Sequence, residues 1–226
     1  MEFNATLAKQ YDSGIRRALP TYDSMIRLIQ TFLRANSPED AHILVIGAGG
    51  GNEVTNFGLN NPNWTFIGVD PSEMMLAVAK EKCKDMGLSE RVVLLQGTVE
   101  NVVTVTKFDA ATCILVLHFI HSYEEKLKTL QEIHTRLKPD APFVMVSKYG
   151  DPNSDEFQER LILWKSYWLD TTKLSVEEVD EMEKEILSLS YLPEDVVEQL
   201  LQQAGFTRIA KFFSTTLFGG WICYKA

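Results

Sequence analysis

Tyr22, Ile26, Ile29 and Leu33 recur at steps of four, three and four, which makes one apolar stripe of a helix. Pro20 before the stripe and Asn36-Ser37-Pro38 after it read as start and stop signals, and the first forty residues as a whole look helical. His42-Ile43-Leu44-Val45-Ile46 is then a nearly continuous apolar run ending in glycines, the pattern of a strand buried on both faces. From there strand and helix signals alternate. Strands are predicted over residues 64–69, 92–95, 110–117 and 143–146, with helices over 72–86 (closing at Gly87) and 123–137. Ser122 with Glu125 three residues on offers a capping box, and Pro139 lies beyond the helix end. Five strands with helical spacers imply a parallel sheet with helices on both faces, an α/β fold of Rossmann-like type.

Residues 151–190 break this rhythm. Phe157, Leu161, Trp164 and Trp168 form one helical stripe, and Ser175 with Glu178 caps a second helix running to about residue 189. The segment reads as an inserted helical lid. Pro193 opens a further helix that ends at Gly205. Residues 206–213 and 217–224 are two final strands joined by a short turn, an antiparallel pair at one edge of the sheet. The 226 residues fit a single domain, with residues 1–36 as an N-terminal helical cap and 151–190 as the lid.

Composition narrows the class. Hydrophobic residues at 45% and charged residues at 23% are ordinary for a soluble globular protein. No apolar run approaches the roughly 20 residues a membrane span needs, and the Met1-Glu2-Phe3-Asn4 start lacks a secretory pattern. Cys83, Cys113 and Cys223 are widely spaced and odd in number, which suggests neither a disulfide framework nor a metal site. The expected location is the cytoplasm. Residues 151–203 hold 14 of the 31 acids and 4 of the 22 basic residues, a balance near −10, whereas the remainder is near +1. Such a segment would repel nucleic acid if it lined a binding face; a solvated outer helix face is the plainer alternative.

The chemistry concentrates after the first strand. Gly47-Ala48-Gly49-Gly50-Gly51 lets a ligand approach the backbone closely and can point amide N–H groups into a site. Asp70 ends the second strand, 19 residues after Gly51, where a carboxylate can accept both hydroxyls of a ribose. Either feature alone reads as a tight turn or a helix cap; together they point to an adenosine-containing ligand. A dinucleotide fingerprint needs a third glycine where Asn52 stands, so NAD is disfavoured.

The ordered series Gly68-Val69-Asp70-Pro71-Ser72, Gln96-Gly97-Thr98-Val99, Phe108-Asp109, Leu137-Lys138-Pro139 and Ala204-Gly205-Phe206 resembles the class I S-adenosylmethionine-dependent methyltransferases. The resemblance implies a seven-stranded, mostly parallel sheet with an antiparallel last strand. It implies that Gly47, Ala48 and Gly49 run along the methionine part of the cofactor, with Gly51 closing the turn. Asp70 and Pro71 would then lie at the ribose, and Thr98 and Val99 beside the adenine. Many members carry an acid two residues before the first glycine, where this chain has Val45, and another after the glycine at 97, where it has Thr98.

The opening Arg16-Arg17-Ala18-Leu19-Pro20-Thr21-Tyr22 and the helical insertion resemble the carboxy-S-adenosylmethionine synthases of the tRNA wobble-uridine pathway. In that family the Pro-x-Tyr tyrosine contacts the cofactor, which maps onto Tyr22. The arginine that pairs there with the extra carboxylate maps onto Asp170, a residue that would repel it.

Other candidates are less distinctive. Trp164, Tyr167 and Trp168 either wall a substrate pocket or pack in the core. His118 and His121 follow the fourth strand, and His118 is the candidate general base; Lys148 and Tyr149 hold comparable positions after the fifth. The expectation is methyl transfer from S-adenosylmethionine to a small molecule, without metal, membrane or nucleic acid, leaving room for a homodimer. A carboxy-S-adenosylmethionine synthase-like enzyme and a non-catalytic cofactor-binding module are the alternatives.

Overall fold

The computed structural model describes the backbone from residue 5 and the side chains from residue 12 onward. The start of the expected 1–36 cap, residues 1–4, lies outside the described residues. The cap consists of α1 (Ala5–Ala18) and α2 (Tyr22–Asn36). The alternating part runs β1 (His42–Ile46), α3 (Asn52–Asn60), β2 (Thr65–Asp70), α4 (Glu73–Asp85), β3 (Val92–Gln96), β4 (Ala110–Ile114), α5 (Tyr123–Arg136) and β5 (Pro142–Lys148). The insertion holds α6 (Asp155–Thr171) and α7 (Val176–Leu187), and α8 (Glu194–Gln203), β6 (Phe206–Thr215) and β7 (Phe218–Lys225) complete the chain.

The seven strands form one sheet in the order β3-β2-β1-β4-β5-β7-β6. β1 to β5 are mutually parallel where they pair, while β7 runs antiparallel to both β5 and β6. β7 therefore lies inside the sheet, and β6 alone forms that edge. β1 is central, and its apolar run divides by the alternation of a strand. Ile43 and Val45 join the core under α2, α3 and α6, whereas Leu44 and Ile46 join the core under α5 and α8. Burying both faces is what the continuous apolar stretch pays for.

Local signals place most helix ends. Ser72 Oγ accepts the Met75 N–H at the start of α4, and Gly87 takes a left-handed φ of 68° just beyond its end. At α7 both arms of the capping box close, with Ser175 and Glu178 bonding each other's backbone N–H. At α5 only Ser122 caps, accepting the Glu125 N–H, while its own hydroxyl donates to Glu124.

One strand is shorter than its sequence suggests. β4 stops at Ile114 rather than Leu117, because Leu115 adopts a left-handed φ of 61° and Leu117–Phe119 wind into a 3-10 turn. The apolar run continues because the turn is buried, not because the strand is. In α6 the buried residues are Phe157, Leu161, Trp164 and Trp168, so the aromatic stripe is core and not a pocket wall.

Gly51 leads α3 against α4. Its φ is 83°, and a Cβ there would lie 3.0 Å from the backbone Cα of Ala79. Gly51→Ala is expected to lose about 1–3 kcal/mol of stability from backbone strain and this contact. A urea midpoint equal to that of the unaltered chain would show that the helices are not held this closely.

Candidate functional site

The glycine turn leaves β1 and is tied to the end of β2. The N–H groups of Gly47 and Ala48 both donate to the Val69 carbonyl, each at 2.9 Å. Gly49 N–H donates to Asp70 Oδ2 at 2.9 Å, and Ser72 N–H donates to Asp70 Oδ1 at 2.8 Å. Gly51 N–H returns to the Ala48 carbonyl. The turn therefore spends these four amides on its own structure, contrary to the expectation that they face a ligand. What it offers instead is close approach. A Cβ at Gly47 would sit 2.1 Å from Val116 Cγ2, so only glycine lets the turn lie against the exit of β4.

A cavity of about 850 Å³ opens at the carboxyl ends of the parallel strands. Asp70, Pro71, Thr98 and Val99 line one end; Gly47, Gly49, Leu115 and Val116 line the middle. Phe119, Ile120 and His121 form the other end with Ser188 and Leu189, which follow α7. This end is pinned by main-chain bonds. Ser190 N–H donates to the His118 carbonyl, and Leu115 N–H donates to that of Val146. The buried Lys126 ammonium adds a bond to the Leu117 carbonyl at 2.6 Å.

The charge of the lining has one sign. Among the described residues, Asp70 and Glu73 are its carboxylates, and no Lys or Arg lines it. Burial raises the Asp70 carboxyl above its usual range, and the Ser72 and Gly49 N–H groups hold it back. The cavity suits a positively charged ligand.

Comparison with known proteins agrees with this geometry. Residues 44–143 match the family described as "Methyltransferase domain". These residues are thus similar to a methyltransferase domain. S-adenosylmethionine is the cofactor that this domain uses. Carboxy-S-adenosyl-L-methionine synthase 1 of Yersinia pseudotuberculosis is 29% identical over 98% of this chain and 92% of that protein. The synthase of Wolinella succinogenes is 25% identical over 99% of this chain and 93% of its own length. Among solved structures, an O-methyltransferase family protein from Burkholderia thailandensis superposes with a TM-score of 0.59 at 14% identity, covering 90% of this chain. A methyltransferase from Geobacter sulfurreducens in complex with S-adenosyl-L-homocysteine gives 0.54 at 14% identity over 82% of this chain. The chain spans only 58% and 65% of those two structures, and at such identity they bear on the fold alone.

Within this fold the sequence candidates separate. Gly47, Gly49, Asp70, Pro71, Thr98 and Val99 come together on the cavity, whereas Tyr22, Ala48 and Gly51 do not line it. Tyr22 is buried behind the turn, with its hydroxyl 3.4 Å from Asn52 Nδ2. Asn52, which replaces the third glycine, knits the cap to the domain by bonding Asp12 of α1 and Lys82 of α4.

His118 is buried one layer behind the cavity and does not line it. Its Nδ1 takes the Lys148 N–H at 3.3 Å and lies 3.2 Å from Ser147 Oγ. Burial, with Lys148 and Lys126 nearby, pushes the imidazole well below its usual range, so it stays neutral. The general-base expectation for His118 gives way to a structural role; His121 is the histidine on the cavity.

The charged insertion also resolves. Asp170 is exposed and off the cavity, and no other acid of residues 151–203 lines the cavity. Asp180 and Glu183 instead pair with Lys165 at 2.8 and 2.5 Å. The acidic run is the solvated helix face, and Asp170 repels nothing in the site.

Glu53 escaped the sequence reading. It lies in the first turn of α3, is buried, and accepts the Thr112 hydroxyl at 2.7 Å. The signal was there, since an acid directly after the glycine turn falls at a helix start that the fold must bury. Burial raises its carboxyl to about 8, offset only by the Thr112 bond. Below about 4.5 folded and unfolded chains both hold this proton. Between there and about 8 only the unfolded chain ionises, so Glu53 costs more stability as pH rises. Glu53→Gln should therefore gain stability over the unaltered chain from pH 5 to pH 8. Thermal melts showing a constant difference across that range would remove the buried proton from the account.

Proposed function

We propose that the chain is a single-domain enzyme that transfers a methyl group from S-adenosylmethionine to a small molecule. The observation that carries the reading is the cavity's one-sided charge, with Asp70 and Glu73 present and Lys and Arg absent among the described residues. A sulfonium donor is welcome there, whereas an added carboxylate would meet no cation. The cofactor supplies a methyl group already activated by its positive sulfur.

The residues divide the binding. Asp70 accepts ribose hydroxyls with the lone pairs that Gly49 and Ser72 leave open. Pro71 backs the ribose, and Thr98 and Val99 flank the adenine. Gly47 and Gly49 give the methionine part room to lie on the backbone. The acceptor enters between Phe119, Ile120, His121, Ser188 and Leu189, beneath the lid. With the donor activated, this chain contributes mainly alignment and exclusion of water. His121 is the group placed to take a proton from an acceptor that must lose one.

Asp70→Ala should weaken S-adenosylmethionine binding by about 1–3 kcal/mol, the range for lost charged hydrogen bonds. Calorimetry on a folded variant with unchanged affinity would remove Asp70 from the site. Absence of any binding to the unaltered chain would overturn the whole reading.

A second reading, a carboxy-S-adenosylmethionine synthase-like enzyme, is favoured by one observation. The relatives bearing that name align over nearly the full chain. The two readings differ in the ligand carried through purification. Mass spectrometry is expected to find S-adenosylmethionine or its demethylated product; a carboxylated form would decide for the second.

A further inference from the structure

Glu53 is a charge-capable group with no charged partner. No ion pair among the described residues includes it, and the one group that offsets its burial is the Thr112 hydroxyl. A buried carboxyl with so little support costs stability unless it serves something else. Its place is specific. Thr112 pairs in register with Val45, the residue two before Gly47, and stands two before Ile114, which lines the cavity. The carboxyl thus lies directly behind the floor of the glycine turn.

The surroundings contain little that could answer it. Cys113, the adjacent titratable group on β4, is itself pushed up to about 12 and stays neutral. Asp12, which accepts from the neighbouring Asn52, is ion-paired with both Arg16 and Lys82. On the cavity, Asp70 and Glu73 both lie towards β2 and α4, so the Gly47 and Leu115 side holds no carboxylate. That is the side assigned above to the methionine part of the cofactor, which carries an ammonium.

We infer that Glu53 is a further cofactor-recognition residue, whose carboxyl answers the methionine ammonium of S-adenosylmethionine from behind the glycine turn. The inference rests on the proposed function. Glu53 acts through the turn and not by lining the pocket, and the low dielectric between them strengthens the interaction. A cation arriving there favours the ionised carboxylate, so the protonated Glu53 of the free enzyme gives up its proton as ligand binds.

Proton release separates this role from a merely structural one. Calorimetry at pH 7 in two buffers of different ionisation heat counts the protons released on binding. S-adenosylhomocysteine, which keeps the ammonium, should release close to one proton from the unaltered chain. 5′-Methylthioadenosine, which lacks the amino-acid end, should release none. Glu53→Gln should abolish the release and bind S-adenosylhomocysteine about tenfold more weakly, with 5′-methylthioadenosine unaffected. Equal release with both ligands, or none with either, would overturn the inference while leaving the proposed function standing. The unaltered chain alone decides this, even if the variant does not fold. Failure of both ligands to bind at all would instead overturn the proposed function, and the inference with it.

Discussion

The site depends on one carboxylate that ties two turns together. Asp70 accepts Gly49 N–H through one oxygen and Ser72 N–H through the other. The first bond holds the turn leaving β1, and the second starts the segment that caps α4. Because β1 and β2 are parallel neighbours, both turns emerge at the same end of the sheet. Without this bridge the turn would keep only its bonds to the Val69 and Ala48 carbonyls, and the cavity would lose a shared wall.

The far wall is built by a different device. Leu115 turns the chain out of β4 with a left-handed φ, and the residues after it are held by bonds to Val146, Lys148, Lys126 and Ser190. One of these partners, Ser190, follows the lid helices. The α6–α7 segment therefore contributes to the cavity through the residues that follow it, not through the aromatic stripe of α6. Trp164 and Trp168 meet edge to face at 5.9 Å within the core, which makes α6 a rigid cover.

Much of the fold was legible in local pattern. The apolar run of β1, the Ser72 cap, the Ser175–Glu178 box and the stripe of α6 each depend on residues within one or two turns of one another. Gly47, Gly49, Asp70 and Thr98 were legible for the same reason, as turn and strand-end residues at a characteristic spacing. Tyr22 and His118 do not line the cavity, because a motif position says nothing about which layer a side chain ends in. Both lie one layer behind the cavity. The end of β4 was misread because a buried turn and a buried strand share an apolar sequence.

Alone, the sequence determined the order of strands and helices, the glycine turn, and the acid at the end of β2, since these follow from periodicity and backbone preference. Only the tertiary structure decided where charge lies. It kept the fourteen acids of residues 151–203 off the cavity, left the cavity with Asp70 and Glu73, and buried Glu53 against Thr112. Whether a carboxyl is solvated, paired or neutral depends on its distance from water and from other charges. Those distances are fixed by packing between residues as far apart as Glu53 and Thr112, which no local pattern records.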